Sequence, residues 1–192
     1  MNLYLRLLWT LLSAQALGPV PWSGTTMHRF RVLPHDLDAF GHMNNGRYLQ
    51  IMDVARTGWM IRTGIAAVIR RNGWTPILGG SVMRFRYALG FLQAFQVRTR
   101  LIAWDGRWFY LEHAFYDGRE RCVSMGLARA AMRGDHGWLP TSAMVAEIEA
   151  GAVSPPLPAH VRQWAAVEDA MLRHGRRPGD PALANGPAAE RS

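Results

Sequence analysis

The sequence predicts an α+β fold: one strand, a loop, an enclosed helix and then an antiparallel meander, with an apolar helix in front and a helical extension behind. Three observations carry this. Residues 45–71 contain no proline, and their apolar side chains recur at three- and four-residue spacing. Four strand-like runs follow, punctuated by turn signals at Gly79-Gly80, Leu89-Gly90, Asp105-Gly106 and Asp117-Gly118. The chain of 192 residues, 49% hydrophobic and 19% charged, has the balance of one globular domain with extensions.

Residues Leu3 to Leu17 are mostly apolar, but they fall short of the roughly 20 residues a spanning helix needs. Asn2, Arg6, Thr10 and Ser13 fall on one narrow polar stripe, which suits a helix lying in a membrane interface or capping an apolar patch of the domain. Ala14-Gln15-Ala16 also has the small-x-small form of a cleavage site, although a single Arg6 is a feeble basic region for a signal peptide. Val20 to Gly24 reads as a joint. The domain proper is expected over residues 27–135, after the N-terminal helix of residues 1–20.

Met27 to Pro34 alternates as a first strand ending at the proline. In the helix, Tyr48, Leu49, Ile51, Met52, Ala55, Trp59 and Met60 cover most of the circumference, as expected where structure lies on several sides. Gly58 and Gly64 permit close approach or a break, and Gly64 to Asn72 reads as a second short helix. Met83, Phe85, Tyr87 and Leu89 alternate with Arg84 and Arg86. Phe95, Val97, Thr99 and Leu101 do likewise with Gln96, Arg98 and Arg100, giving each strand one apolar and one basic face. Trp108 to Tyr116 and Cys122 to Met132 are joined by a hairpin at Asp117-Gly118.

Beyond Pro140, Thr141 or Ser142 caps a helix through Glu149. After the prolines of residues 154–158, Val161, Trp164, Ala165, Met171 and Leu172 mark an amphipathic helix that docks back, within an extension of residues 140–174. The Pro/Gly/Ala-rich tail of residues 175–192 is expected to be disordered.

The formal net charge is +8, and all 22 basic residues are arginine. No basic run interleaves with aromatics, so nucleic acid is not the expected partner. Cys122 is the only cysteine, which excludes an intramolecular disulfide and a thiolate zinc cluster; its apolar run suggests a buried, inert thiol.

Chemistry concentrates in the loop before the long helix, His35-Asp-Leu-Asp-Ala-Phe-Gly-His-Met-Asn-Asn-Gly-Arg-Tyr48. A helix N-terminus offers free backbone amides and a dipole that favours negative charge, so an anionic intermediate can be stabilised there. In an extended segment Asp36 and Asp38 share a side and repel, which raises one pKa and suits a general base or nucleophile. The plainer alternative is that they form turns or cap the helix. His35, Asp36, Asp38 and His42 are metal-ligand types, but no helical His-x-x-x-His pair or distant Cys/His set supports a metal site. No Gly-x-Ser-x-Gly elbow, dinucleotide fingerprint or Walker loop occurs, which leaves cofactor-free acid/base or covalent chemistry.

Asp36 to Tyr48, followed by Asp53-Val-Ala-Arg56, resembles the signature of hotdog-fold acyl-CoA thioesterases of the 4-hydroxybenzoyl-CoA thioesterase type. The likeness is greatest to the membrane-associated thioesterase superfamily member six group, which shares the apolar leader. The resemblance implies a hotdog fold, an antiparallel sheet wrapped around a long central helix. It implies an acyl-CoA or acyl carrier protein thioester as substrate, no cofactor beyond the CoA the substrate brings, and a homodimer or homotetramer with sites between subunits. It implies a cytoplasmic protein that contacts the membrane surface through residues 1–20.

The family's catalytic carboxylate maps onto Asp38, with amides near Asn45, Gly46 and Arg47 as an oxyanion site. Gly41 and His42 shape the turn, Asn44 and Asn45 fix the loop and the helix start, and Tyr48 faces back toward the site. His42, Asn44 and Tyr48 are the implied substrate contacts. Some hotdog enzymes use an acid on the helix instead; Asp53 is that candidate, and an i,i+3 pair with Arg56 is its plainer role. Arg84, Arg86, Arg98 and Arg100 are candidates for the CoA phosphates. A hotdog domain that binds acyl thioesters or lipid without turnover, or scaffolds at a membrane, is the competing class, and a dehydratase of the same fold is a weaker third.

Overall fold

The computed structural model describes residues 2–174; the tail of residues 175–192 lies outside the described residues. Helix α1 (Asn2–Ala16) precedes strand β1 (Thr26–Arg31), a single 3-10 turn (Pro34–Asp36), the long helix α2 (Asn45–Arg62) and the short α3 (Ile65–Arg71). Strands β2 (Thr75–Phe85), β3 (Ala94–Trp104), β4 (Phe109–Asp117), β5 (Cys122–Gly134) and β6 (Gly137–Leu139) follow, then α4 (Thr141–Ile148) and α5 (Ala159–His174). The strands form one antiparallel sheet in the order β1-β3-β4-β5-β2, with β6 pairing the end of β5. This sheet holds α2 in its concave face, the hotdog arrangement.

Two layers cover much of helix α2, while a strip that includes Gln50 and Asp53 stays exposed together with Leu49, which the sequence placed among the enclosed residues. Tyr48, Ile51, Met52 and Ala55 pack with Phe30, Val97, Phe115 and Val123 of the sheet, while α1 lies along the other side. At Gly58 the helix comes so close to β1 that an added Cβ would stand 2.1 Å from His28 Nε2. Gly64, at φ +78°, ends the run and starts α3, because the left-handed conformation disfavours any residue with a Cβ. Both glycine readings hold.

The outer face of the sheet is covered too. Val161 and Ala165 of α5 pack on Trp108, Tyr110, Leu127 and Ala131. Arg129, fully buried in this layer, bonds Asp169 of α5 at 2.6 Å and stacks on Trp108. A buried charge without such a partner would cost several kcal/mol.

Several local expectations are corrected. Gly79-Gly80 is no turn; it lies inside β2 at a register shift against β5, where added Cβ atoms would meet Trp108 at 2.2 Å and Glu168 at 2.0 Å. The first strand ends at Arg31, and Pro34 opens the 3-10 turn. Strand β2 stops at Phe85, short of Tyr87 and Leu89, and as an edge strand it leaves Leu78, Val82 and Phe85 exposed. Cys122 is half-buried at the start of β5, not inside the core. Pro140 occupies the N-cap of α4 without a side-chain cap, and the Thr141 hydroxyl donates to the Asp105 carbonyl instead. Met171 and Leu172 stay exposed near the end of α5.

The N-terminal helix α1 seats against the body of the domain. Its polar stripe faces the protein: Thr10 is buried, Ser13 donates to the Thr10 carbonyl, and Arg6 reaches the loop before α2. Tyr4, Leu5, Leu8, Trp9 and Leu12 point outward and are more than half exposed, from 52% to 77%. Among the described residues no helix is long and apolar enough to cross a membrane.

Candidate active site

The loop from Val32 to Asn44 is tied back on itself before α2 begins. Asp36 is buried, its Oδ2 accepts from the Leu33 amide at 2.8 Å, and its carbonyl accepts from the Asn44 amide at 2.7 Å. Leu37 and Met43 then form a short antiparallel bridge, and the Asp38 amide donates to the His42 carbonyl at 2.8 Å. Gly41, at φ +77°, turns this corner, and only glycine takes that conformation without cost.

Asp38 is half-buried at the tip of this turn. Its Oδ1 accepts from the Phe40 amide at 2.8 Å and the His42 amide at 3.3 Å, while Oδ2 takes no hydrogen bond from the described residues. Asp36 and Asp38 therefore do not act as a repelling pair on one face. The 3-10 turn breaks the extended geometry, and Asp36 is taken up by Arg6 at 3.1 and 2.5 Å. Among the described residues no three His, Cys, Asp or Glu side chains converge as a metal site.

Asn44 is the N-cap of α2, and its Oδ1 accepts from the Gly46 amide at 2.9 Å. The Arg47 amide donates to the Asn44 carbonyl at 2.9 Å. Of the three amides expected to serve an oxyanion, that of Asn45 alone has no acceptor among the described residues. His42 is exposed and holds the turn through its backbone, which also bridges Gly90. Tyr48 is only 2% exposed and packs edge-on against Phe85 and beside Phe115, so it braces the helix start. Burial pushes its hydroxyl up to about 12, against a hydrogen bond with the Leu89 backbone.

A separate cavity of about 250 Å³ lies farther along α2, between the helix and the sheet. Its walls are apolar, with Trp59, Met60, Leu101, Phe109 and Met132 prominent, and Asp53, Arg56 and Thr57 supply its polar rim. No residue of the Asp38 loop lines it, and the eight residues from Asn45 to Asp53 span about 12 Å of helix. Asp53 and Arg56 form the i,i+3 ion pair.

Two features have weak signatures in the sequence. Arg6 is remote from the motif it contacts. Beneath α2, Thr26, His28, Thr99 and His113 occupy buried inward positions on the sheet, as their alternation with outward residues allows. The His113 Nδ1 meets Thr99 Oγ1 at 3.0 Å, whereas His113 Nε2 and both His28 nitrogens have no partner among the described residues. Of the four candidate phosphate-binding arginines, Arg98 pairs with Glu120 and Arg100 with Glu112, leaving Arg84 and Arg86 exposed beside the edge strand.

Residues 32–165, which include the loop, the helix and the whole sheet after β1, match the family described as the thioesterase-like superfamily. The chain belongs to this thioesterase superfamily. The chain is 34% identical over 146 residues to Protein THEM6 of Xenopus laevis, covering 76% of this chain and 69% of that protein. In structure it resembles a gentisyl-coenzyme A thioesterase, with a TM-score of 0.55 and 22% identity over 62% of this chain and 98% of the other. It also resembles a Staphylococcus aureus protein solved in complex with CoA, at a TM-score of 0.55 and 12% identity over 91% of this chain and 100% of the other. These two likenesses support the fold.

Proposed function

We propose that this thioesterase hydrolyses acyl thioesters of CoA or of acyl carrier protein through Asp38. The observation that carries the reading is a carboxylate with one oxygen fixed by backbone amides and the other taking no hydrogen bond from the described residues, at a loop that enters a helix whose first amide, Asn45, has no acceptor among them. Asp38 Oδ2 activates water or attacks the acyl carbon directly. The Asn45 amide receives the developing oxyanion, and the Gly46 amide joins it when the Asn44 cap yields. One such donor is typically worth about 3 kcal/mol, a hundredfold or more in rate. The leaving thiol, with a pKa near 8.5, departs as thiolate, so one carboxylate without a strong general acid suffices.

No cofactor is required, since CoA arrives with the substrate. The CoA complex of the similar Staphylococcus aureus protein supports CoA as the carrier, and the exposed Arg84 and Arg86, which make no ion pair among the described residues, suit its phosphates. The apolar cavity suits an acyl chain. The site works in a homodimer or homotetramer. Eleven-residue β2 is an open edge with exposed apolar side chains, and the exposed Phe40 and Phe91 lie on turns joined by the His42–Gly90 bridge. The outward apolar face of α1 would rest on the cytoplasmic surface of a membrane.

A second reading, a hotdog protein that binds acyl thioesters or lipid without turnover, or scaffolds at a membrane, draws on the turn-holding role of Asp38 Oδ1. Purified protein assayed with short, long and aromatic acyl-CoAs decides between them. Hydrolysis that Asp38→Asn lowers by roughly a hundredfold or more supports the first reading; binding without turnover across the panel supports the second.

A further inference from the structure

We propose that Arg6 is a positioning residue for the reaction, so that α1 is a working part of the hydrolytic site as well as a surface element. This rests on the thioesterase reading above. Arg6 Nη1 and Nη2 donate to the two carboxylate oxygens of Asp36 at 3.1 and 2.5 Å, and Nη2 also donates to the Arg31 carbonyl at 2.9 Å. One guanidinium thereby fastens the end of β1 to the loop that carries Asp38.

The link continues into the chemistry. The Asp36 carbonyl accepts from the Asn44 amide, and the Asn44 side chain caps Gly46, so the residue that Arg6 grips also sets the start of α2 where the oxyanion amides lie. Asp38 follows Asp36 by two residues, inside the Leu37–Met43 bridge. The Asp36 carboxylate is 1% exposed; besides the Leu33 amide, which donates to Oδ2 at 2.8 Å, the other side chains that approach it do so at longer range, His35 Nε2 at 3.5 Å and Arg47 Nε at 3.8 Å. Without Arg6 this buried charge loses its two direct side-chain donors, and the loop must move to hydrate it.

Lysine cannot replace the fork. Three bonds to two carboxylate oxygens and a carbonyl suit the planar guanidinium, whose donors sit on separate nitrogens, whereas the three donors of an ammonium radiate from one atom and do not match the fork. The rest of α1 is built for close seating, with Thr10 and Ala14 buried against the body.

The test uses the full chain and compares wild type with Arg6→Ala, Arg6→Lys, the double variant Arg6→Met/Asp36→Asn, and Gln15→Ala as an exposed control on the same helix. Two readouts are taken: kcat and KM for one hydrolysed acyl-CoA, and hydrogen exchange of the amides of residues 37–46. Arg6→Ala is expected to lower kcat roughly 10- to 100-fold, with KM within about threefold of wild type, and to speed exchange in the loop but not in β3 and β4. Arg6→Lys recovers part of the rate, and Gln15→Ala changes neither readout.

The double variant removes the buried charge and so keeps the fold if Arg6→Ala does not; it remains slow, because the loop is no longer gripped. Wild-type kcat in either Arg6→Ala or the double variant overturns the proposal. If the wild type turns over no acyl-CoA, the thioesterase reading has failed by itself, and exchange alone then decides the coupling: unchanged protection of residues 37–46 refutes it.

Discussion

His28 lies on the buried face of β1 with neither ring nitrogen partnered among the described residues, and burial followed by the nearby Arg62 charge lowers its pKa to about 4. His113, fully buried, is lowered as well, by desolvation and by Arg56. In the unfolded chain both take up protons as pH falls through 6.5, while the folded state refuses them, so stability is present above 6.5 and is lost as pH falls toward 4. For His28 the drop from 6.5 to about 4 corresponds to roughly 3 kcal/mol. Urea unfolding at pH 7 and pH 4.5 should show this loss, and His28→Leu should shrink it. Asp117 acts lower on the scale: burial pushes it up, but hydrogen bonds from Arg121 and Arg119 hold it below its ordinary 3.8, so its contribution disappears only below that pH. The motif around Asp38 was readable because turn glycine, cap asparagine and carboxylate stand within a few residues of one another. Arg6 was not, since its partner lies 30 residues away and nothing local says that a polar stripe faces inward.

At the scale of elements, α2 is held against the sheet by the absence of a side chain. Alanine favours a helix over glycine by about 1 kcal/mol, yet at Gly58 its Cβ would meet the His28 ring at 2.1 Å. Overpacking of this kind costs about 1–3 kcal/mol, so Gly58→Ala should lower stability despite its propensity, and His28→Ala in the same chain should recover part of the loss in urea titrations. The order of strand, loop, helix and meander was legible because two periodicities and their punctuation are local signals. Gly79-Gly80 misled for the opposite reason. What excludes a side chain there is Trp108 and Glu168, brought in by the turn before β4 and by α5, and no window around the glycines contains them. The exposure of β2 likewise follows from its place at the sheet edge, which alternation does not encode.

On the scale of the molecule, the edge of β2 and the outer face of α1 are apolar surfaces left open among the described residues. If α1 rests on a membrane, Tyr4→Ser/Leu8→Ser should abolish co-sedimentation of the full chain with phosphatidylcholine/phosphatidylserine vesicles while hydrolysis of soluble acyl-CoA persists, because these exposed side chains, two residues to either side of Arg6, lie on the opposite face of the helix from its grip on the loop. Co-sedimentation equal to wild type would refute a membrane role for that face. Under the proposed function three tasks would separate along one chain: α1 would steady the loop, the loop would carry the carboxylate, and the apolar cavity under α2 would accommodate the acyl group. The most direct test of the central claim is CoA thiol release from acyl-CoA measured side by side for wild type and Asp38→Asn, with unfolding curves confirming that both are folded. The account predicts turnover by the wild type and its loss by roughly a hundredfold or more in the variant; equal turnover by the two proteins would contradict it.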